Sequence, residues 1–141
     1  MRKIWVTIGS MVLLAAALFI YDLSLEPNSA GTLTLTLSEA GVLVQEADHN
    51  FTEDDTLYTL LERHYDIACA DASYAPSDAC EPLSFSGVEG RILMHVNELE
   101  TDWFTSYLEI SVNGNKANYG IDQLPLKDGD IIDLNAVSLD E

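Results

Sequence analysis

The chain has 141 residues, of which 24 are Asp or Glu and six are Lys or Arg, for a net charge of −18. All 24 acids lie at or after Asp22, so beyond Lys3 they face only Arg63, Arg91, Lys116 and Lys127. No phosphate-binding surface can be assembled from four scattered cations, which excludes nucleic acid as a partner.

The opening residues read as an export signal. "MRK" is followed by the uncharged stretch Ile4 to Tyr21, with Trp5 and Tyr21 near its two ends. Its length is at the lower limit for a membrane-crossing helix. Basic residues before it and an acid-rich chain after it place the N-terminus inside and the rest outside. Two outcomes stay open: an uncleaved single-pass anchor, or a signal peptide removed after Ala30, which would make the protein secreted. The expected organisation is a signal peptide or anchor over 1–22, a linker over 23–31, one domain over 32–137 and an acidic tail over 138–141.

"TLTLTLS" alternates Leu33, Leu35 and Leu37 with threonines, the pattern of a strand with one apolar face. "SEAG" supplies a turn, and "VLVQE" returns with Val42 and Val44 on one side, completing a β-hairpin. "ADHNFTEDD" is expected to be a loop. A helix follows, its apolar stripe made of Leu57, Leu60, Leu61, His64, Tyr65 and Ala68. Thr52 and Asp55 stand at capping-box spacing, and Glu53 to Asp55 suit the positive end of its dipole.

Cys69 and Cys80 are the only cysteines. On the oxidising side of a membrane such a pair is most simply a disulfide. Closing about a dozen residues, it stabilises by about 3 kcal/mol on the loop-entropy model. Further strands are expected at "LSF", "RILMHV" and "WFTSYLEISV", with Leu108, Ile110 and Val112 sharing a face, and at "DIIDLNAV", with Ile132, Leu134 and Ala136 in phase. Asn113-Gly114 is a tight-turn signal, since both residues tolerate positive φ. A hairpin, one amphipathic helix and three or four more strands form the order of an α+β, β-grasp-like domain: a mixed sheet packed on one helix.

The stretch "LETDWFTSYLEISVNGNKANYGIDQLPLKDGDIIDL" resembles a β-grasp family of unknown function related to the C-terminal domain of transcobalamin and intrinsic factor, found in exported proteins of Gram-positive bacteria. The resemblance rests on Val112-Asn113-Gly114, on Gly120-Ile121-Asp122 and on the corner from Leu126 to Asp130, with the helix and strand order in agreement. It implies a β-grasp fold and allows a corrinoid as ligand. One departure matters. Such domains carry a Trp about five residues before the Asn, where this chain has Leu108, and the nearest Trp is Trp103.

Asp128, Gly129 and Asp130, with Asp133, invite comparison with a calcium loop. Calcium needs six to eight converging oxygens, so "DGDIID" reads as a turn entering a strand, and Gly120 likewise as a turn residue. His49, His64 and His95 are far apart in sequence, and no metal site is expected. No nucleophile motif is present, and no enzymatic activity is expected. Tyr74, Trp103, Phe104, Tyr107 and Tyr119 fall in loops or on the strand face away from the core, where aromatics either cover sheet edges and pack against the cysteine loop or form a platform for a ring or sugar; in the second case Trp103, Tyr107 and Tyr119 are the candidate ligand-binding residues. Two functions follow. One is an extracellular, membrane-anchored, non-catalytic binding module for a small cofactor-like ligand or a surface polymer. The other is a cell-envelope interaction or structural domain with no small ligand.

Overall fold

A computed structural model describes residues 29–140. The expected N-terminal membrane or signal helix, and all but the end of the linker, lie outside the described residues. Within them the chain is mostly sheet, with one short helix.

Strand β1 (Ser29–Glu39) is an interior strand of the main sheet. It pairs antiparallel with β2 (Val42–Thr52) and parallel with the last strand, β11 (Ile131–Ser138). Beyond β11 lie β9 (Ser106–Val112) and the two-residue β10 (Asn115–Lys116), giving the order β10-β9-β11-β1-β2. Leu33, Leu35 and Leu37 are buried as the alternation requires, and Ile132 and Leu134 face the same side from β11.

Strand β2 differs from the sequence reading in two ways. It continues through Ala47 to Thr52, a segment expected to be a loop. Its polar residues are compatible with a strand because they pair across it: Thr32 Oγ1 donates to Asn50 Oδ1 and Thr34 Oγ1 to Asp48 Oδ1, both at 2.7 Å. Val42 and Val44 do not form an apolar face. Both are exposed, as is Leu43 between them, because a register shift at Leu37/Ser38 interrupts the alternation at a sheet edge.

Helix α1 (Leu57–His64) is shorter than its apolar stripe suggested. Thr56 caps it: its hydroxyl accepts from the Thr59 amide while the Thr59 hydroxyl accepts from the Thr56 amide. Thr52 and Asp55 instead close a separate turn before the helix, and no acid lies in its first turn. Tyr65 turns extended at φ −130°, ψ 157°, and Ala68 passes into strand β3 (Ile67–Ala70). His64, expected on the apolar face, is exposed. Leu57, Leu60 and Leu61 are buried in the same core as the three β1 leucines.

A second sheet, which sequence periodicity did not separate from the first, joins β4 (Pro76–Ser77), β3, β7 (Leu93–Val96) and β8 (Leu99–Glu100) in that order. A small hairpin, β5 (Leu83–Phe85) and β6 (Val88–Gly90), stands apart. Cys69 on β3 is bonded to Cys80, with Cα atoms 4.8 Å apart. Both are buried in the core cluster together with Leu93, Val96 and Leu99, so the disulfide ties the loop after β4 to β3 within the core.

Candidate functional site

Two short loops have the same construction. In the first, Asp71 Oδ1 accepts from the Ser73 amide, the Ser73 hydroxyl and the Ala75 amide, and the Asp71 amide donates back to the Ala75 carbonyl. The loop places Tyr74 at φ 61°. In the second, Asp102 Oδ1 accepts from the amides of Phe104, Thr105 and Ser106, while Oδ2 accepts from the Thr105 hydroxyl at 2.8 Å. That loop places Trp103 at φ 66°. The Thr105 bonds, joined by those from Ser106 and Phe104, hold the Asp102 carboxyl at about 2. Bulky residues avoid the left-handed region, and each such position costs roughly 1–3 kcal/mol. Ala40, Cys80, Ser86, Asn97 and Asn113 also have positive φ, but Tyr74 and Trp103 are the aromatic side chains held there.

The loops border one groove of roughly 500 Å³. Tyr74 and Phe104 supply its aromatic surface, and Phe104 is 70% exposed. Its polar groups include His95 and Glu100, which sit opposite each other across the β7–β8 turn. Thr101 anchors β8 from below, its hydroxyl donating to the Met94 carbonyl at 2.7 Å. The volume lies in the range of small-molecule sites.

The three aromatics singled out in the sequence do not converge. Trp103 and Tyr107 meet edge to face, with centroids 6.4 Å apart. Trp103, still 37% exposed, lines a slot of roughly 190 Å³ with Leu108, Ile110 and Ile121. Tyr107 points to the polar sheet face, its hydroxyl bonded to Glu109 and Lys116 lying 5.9 Å from its ring. Tyr119 lines a separate depression beside Lys116 and Lys127. Sequence reasoning named Tyr74 and Phe104 among exposed aromatics but missed His95 and Glu100, whose opposition depends on β7–β8 pairing. The local signals were "DASYA" and "TDWFTS", each an Asp followed by donors two to four residues later.

The expected turn residues build one corner. Asn113 and Gly114, at φ 52° and 84°, turn β9 into β10. Asn113 Nδ2 donates to Asp130 Oδ1, and its Oδ1 accepts from the Ile131 amide, each at 2.9 Å. Asp128 Oδ1 accepts from the Thr32 amide, and Gly129, at φ 83°, donates to the Thr32 carbonyl. Asp130 is buried, with its second oxygen on the Lys127 amide. Gly120 begins a further turn, its carbonyl accepting from Leu124.

Among the described residues no three His, Cys, Asp or Glu side chains are grouped to hold a metal ion. His49 and His64 do meet, but ring on ring at 4.4 Å and 26°. In-plane lone pairs of stacked rings run side by side and do not converge on one ion. His49 Nε2 is also bonded to the Tyr65 hydroxyl at 2.8 Å.

No family model and no curated protein matches the chain. The fold is similar to that of a protein from Ruminococcus gnavus ATCC 29149, provisionally described as metal binding. The TM-score is 0.52 at 21% identity, covering 77% of this chain and 97% of the other. At that identity the likeness is one of fold.

Proposed function

We propose that this chain is an exported, membrane-tethered β-grasp domain that binds a surface polymer without catalysis, in the groove between Tyr74 and Phe104. The observation that carries the reading is the pair of Asp71- and Asp102-anchored loops, which bring Tyr74 and Phe104 to one groove, with Tyr74 itself and Phe104's neighbour Trp103 held at positive φ. Strain of this kind persists where the surroundings enforce a geometry that serves a site. An aromatic face with hydroxyl, imidazole and carboxylate groups around it suits a sugar ring, apolar on its faces and polar at its rim. Net charge of −18 disfavours an anionic polymer.

The β-grasp assignment is supported by the parallel β1–β11 pair at the sheet centre and by a helix following the first hairpin. The relation to the transcobalamin domain rests on the Val112 to Asp130 motifs, and export rests on the N-terminal pattern together with the Cys69–Cys80 bond. The R. gnavus protein is described as metal binding; among the described residues of this chain no three His, Cys, Asp or Glu side chains are grouped to hold such an ion. A second reading, an envelope interaction domain, is favoured by the exposed Val42, Leu43 and Val44 on the outer edge of the sheet.

Affinity electrophoresis of the full-length chain against soluble β-glucan, chitin oligomers and glucosamine oligomers tests the proposal. Retardation by at least one is expected, weakened about two- to twelve-fold by Phe104→Ala, as one aromatic contact is worth ~0.5–1.5 kcal/mol. Retardation by none, or retardation indifferent to Phe104, would leave the interaction reading in its place.

A further inference from the structure

The groove's charge is one-sided. No Lys or Arg lines it, and Glu100 and Asp102 both do. The two carboxylates are not equivalent. Asp102 is fully committed to its own loop, receiving three amides and a hydroxyl. Glu100 is exposed, and its carboxylate has no hydrogen-bond or ion-pair partner among the described residues. It stands opposite His95, between loops that bring Tyr74 and Phe104. An available carboxylate lining the same groove as two aromatic side chains brings together the two kinds of group that attract an organic cation: a negative charge, and a π-system. The surrounding protein adds to this. Arg63, Arg91 and Lys116 are paired with Asp55, Asp122 and Glu109, and Lys127 lines a different depression, so the field over the groove is that of an acidic body.

We infer that the groove takes an organic ammonium group, primary or quaternary, carried by the bound polymer or ligand. The inference rests on the groove being the binding site and names the charge of what enters it. Desolvating a quaternary ammonium is inexpensive beside desolvating a metal ion, and its methyl groups pack on aromatic faces while its charge remains near Glu100. A neutral ligand would leave Glu100 to water. An anionic one would face two carboxylates with no lysine or arginine to offset them.

The test is calorimetric titration of the full-length chain with choline and with 3,3-dimethylbutanol, which has the same shape with carbon in place of the charged nitrogen. Choline is expected to bind about five-fold or more tightly than the alcohol, each cation–aromatic contact adding about two- to five-fold. Affinity should fall with added salt. Glu100→Gln and Phe104→Leu should each reduce choline binding by about two- to five-fold; both side chains are exposed, so a thermal melt should show the fold unchanged. A parallel titration with glucosamine oligomers reports on a primary amine, and chitin oligomers serve as their uncharged counterpart. Equal binding of choline and the alcohol, together with equal binding of the two sugar series, overturns the inference. If the neutral sugars bind and neither amine compound does, the cation is wrong and the polymer-binding groove stands. If nothing binds, both fall.

Discussion

Replacing Arg91 by Met tests how the second layer is held. Arg91 precedes β7 and touches three parts of the fold. Its Nε donates to the Cys80 carbonyl at 2.6 Å, its Nη1 pairs with Asp122 Oδ1, and its guanidinium lies 3.8 Å from the centroid of the Tyr58 ring on α1. Methionine keeps much of the stem's volume and removes the charge and the donors. The Asp122 carboxylate would then keep only the Arg91 backbone amide, at 2.8 Å. Removing one partner of a buried pair costs ~3–5 kcal/mol because a charge is left uncompensated. Here the side chains are 22% and 18% exposed, so water recovers part of that. The expected cost is about 2–4 kcal/mol, or a melting point lower by about 8–20 °C for a domain of this size. Urea denaturation of the full-length chain, followed by far-ultraviolet circular dichroism, gives the free energy. Arg91→Met/Asp122→Asn should be more stable than Arg91→Met alone by about 1–2 kcal/mol, since the second change removes the stranded charge. A single-variant cost below about 1 kcal/mol, or a double variant no better than the single, would refute the reasoning.

Gly31→Ala should destabilise by about 1–3 kcal/mol, because the added Cβ would lie 2.6 Å from Asp128 Cβ and 2.9 Å from its Cα, where the backbone cannot yield cheaply; an unchanged urea midpoint would show that the β1 corner has slack. His49 gives a pH dependence. Burial first, and the His64 ring second, lower its pKa below the ordinary 6.5, with Asp48 opposing in part. The unfolded chain therefore takes up the proton more readily than the folded one, so the stabilisation is complete above about pH 6.5 and is lost as pH falls below it. Melting points should drop between pH 7 and 5, and His64→Gln should shrink that drop; an His49 proton resonance titrating at or above 6.5 would contradict it.

Much of the main sheet was legible because its signals are local. Leu33, Leu35 and Leu37 alternate with polar residues, Ile132 and Leu134 do the same, and Asn113-Gly114 marks a turn whose positive φ few other pairs adopt. The helix's apolar stripe from Leu57 to Leu61 was legible, and neither its cap nor its end was. Ala68 continues the apolar period of Leu57 to Tyr65 whether it lies on a helix or on β3, since both bury it. The length of β2 was hidden for the opposite reason: Asp48 and Asn50 look like loop residues until Thr34 and Thr32 stand opposite them.

What the sequence determined unaided was the charge, the apolar faces of the central strands and the places where the chain must turn, because these depend on residues close together along it. The tertiary structure decided which aromatics share a groove. Tyr74 and Phe104 are 30 positions apart, and nothing in either neighbourhood points to the other. They line one groove because β3 pairs with β7 and β7 with β8, and ladder hydrogen bonds between backbones carry no mark in the side chains they bring together.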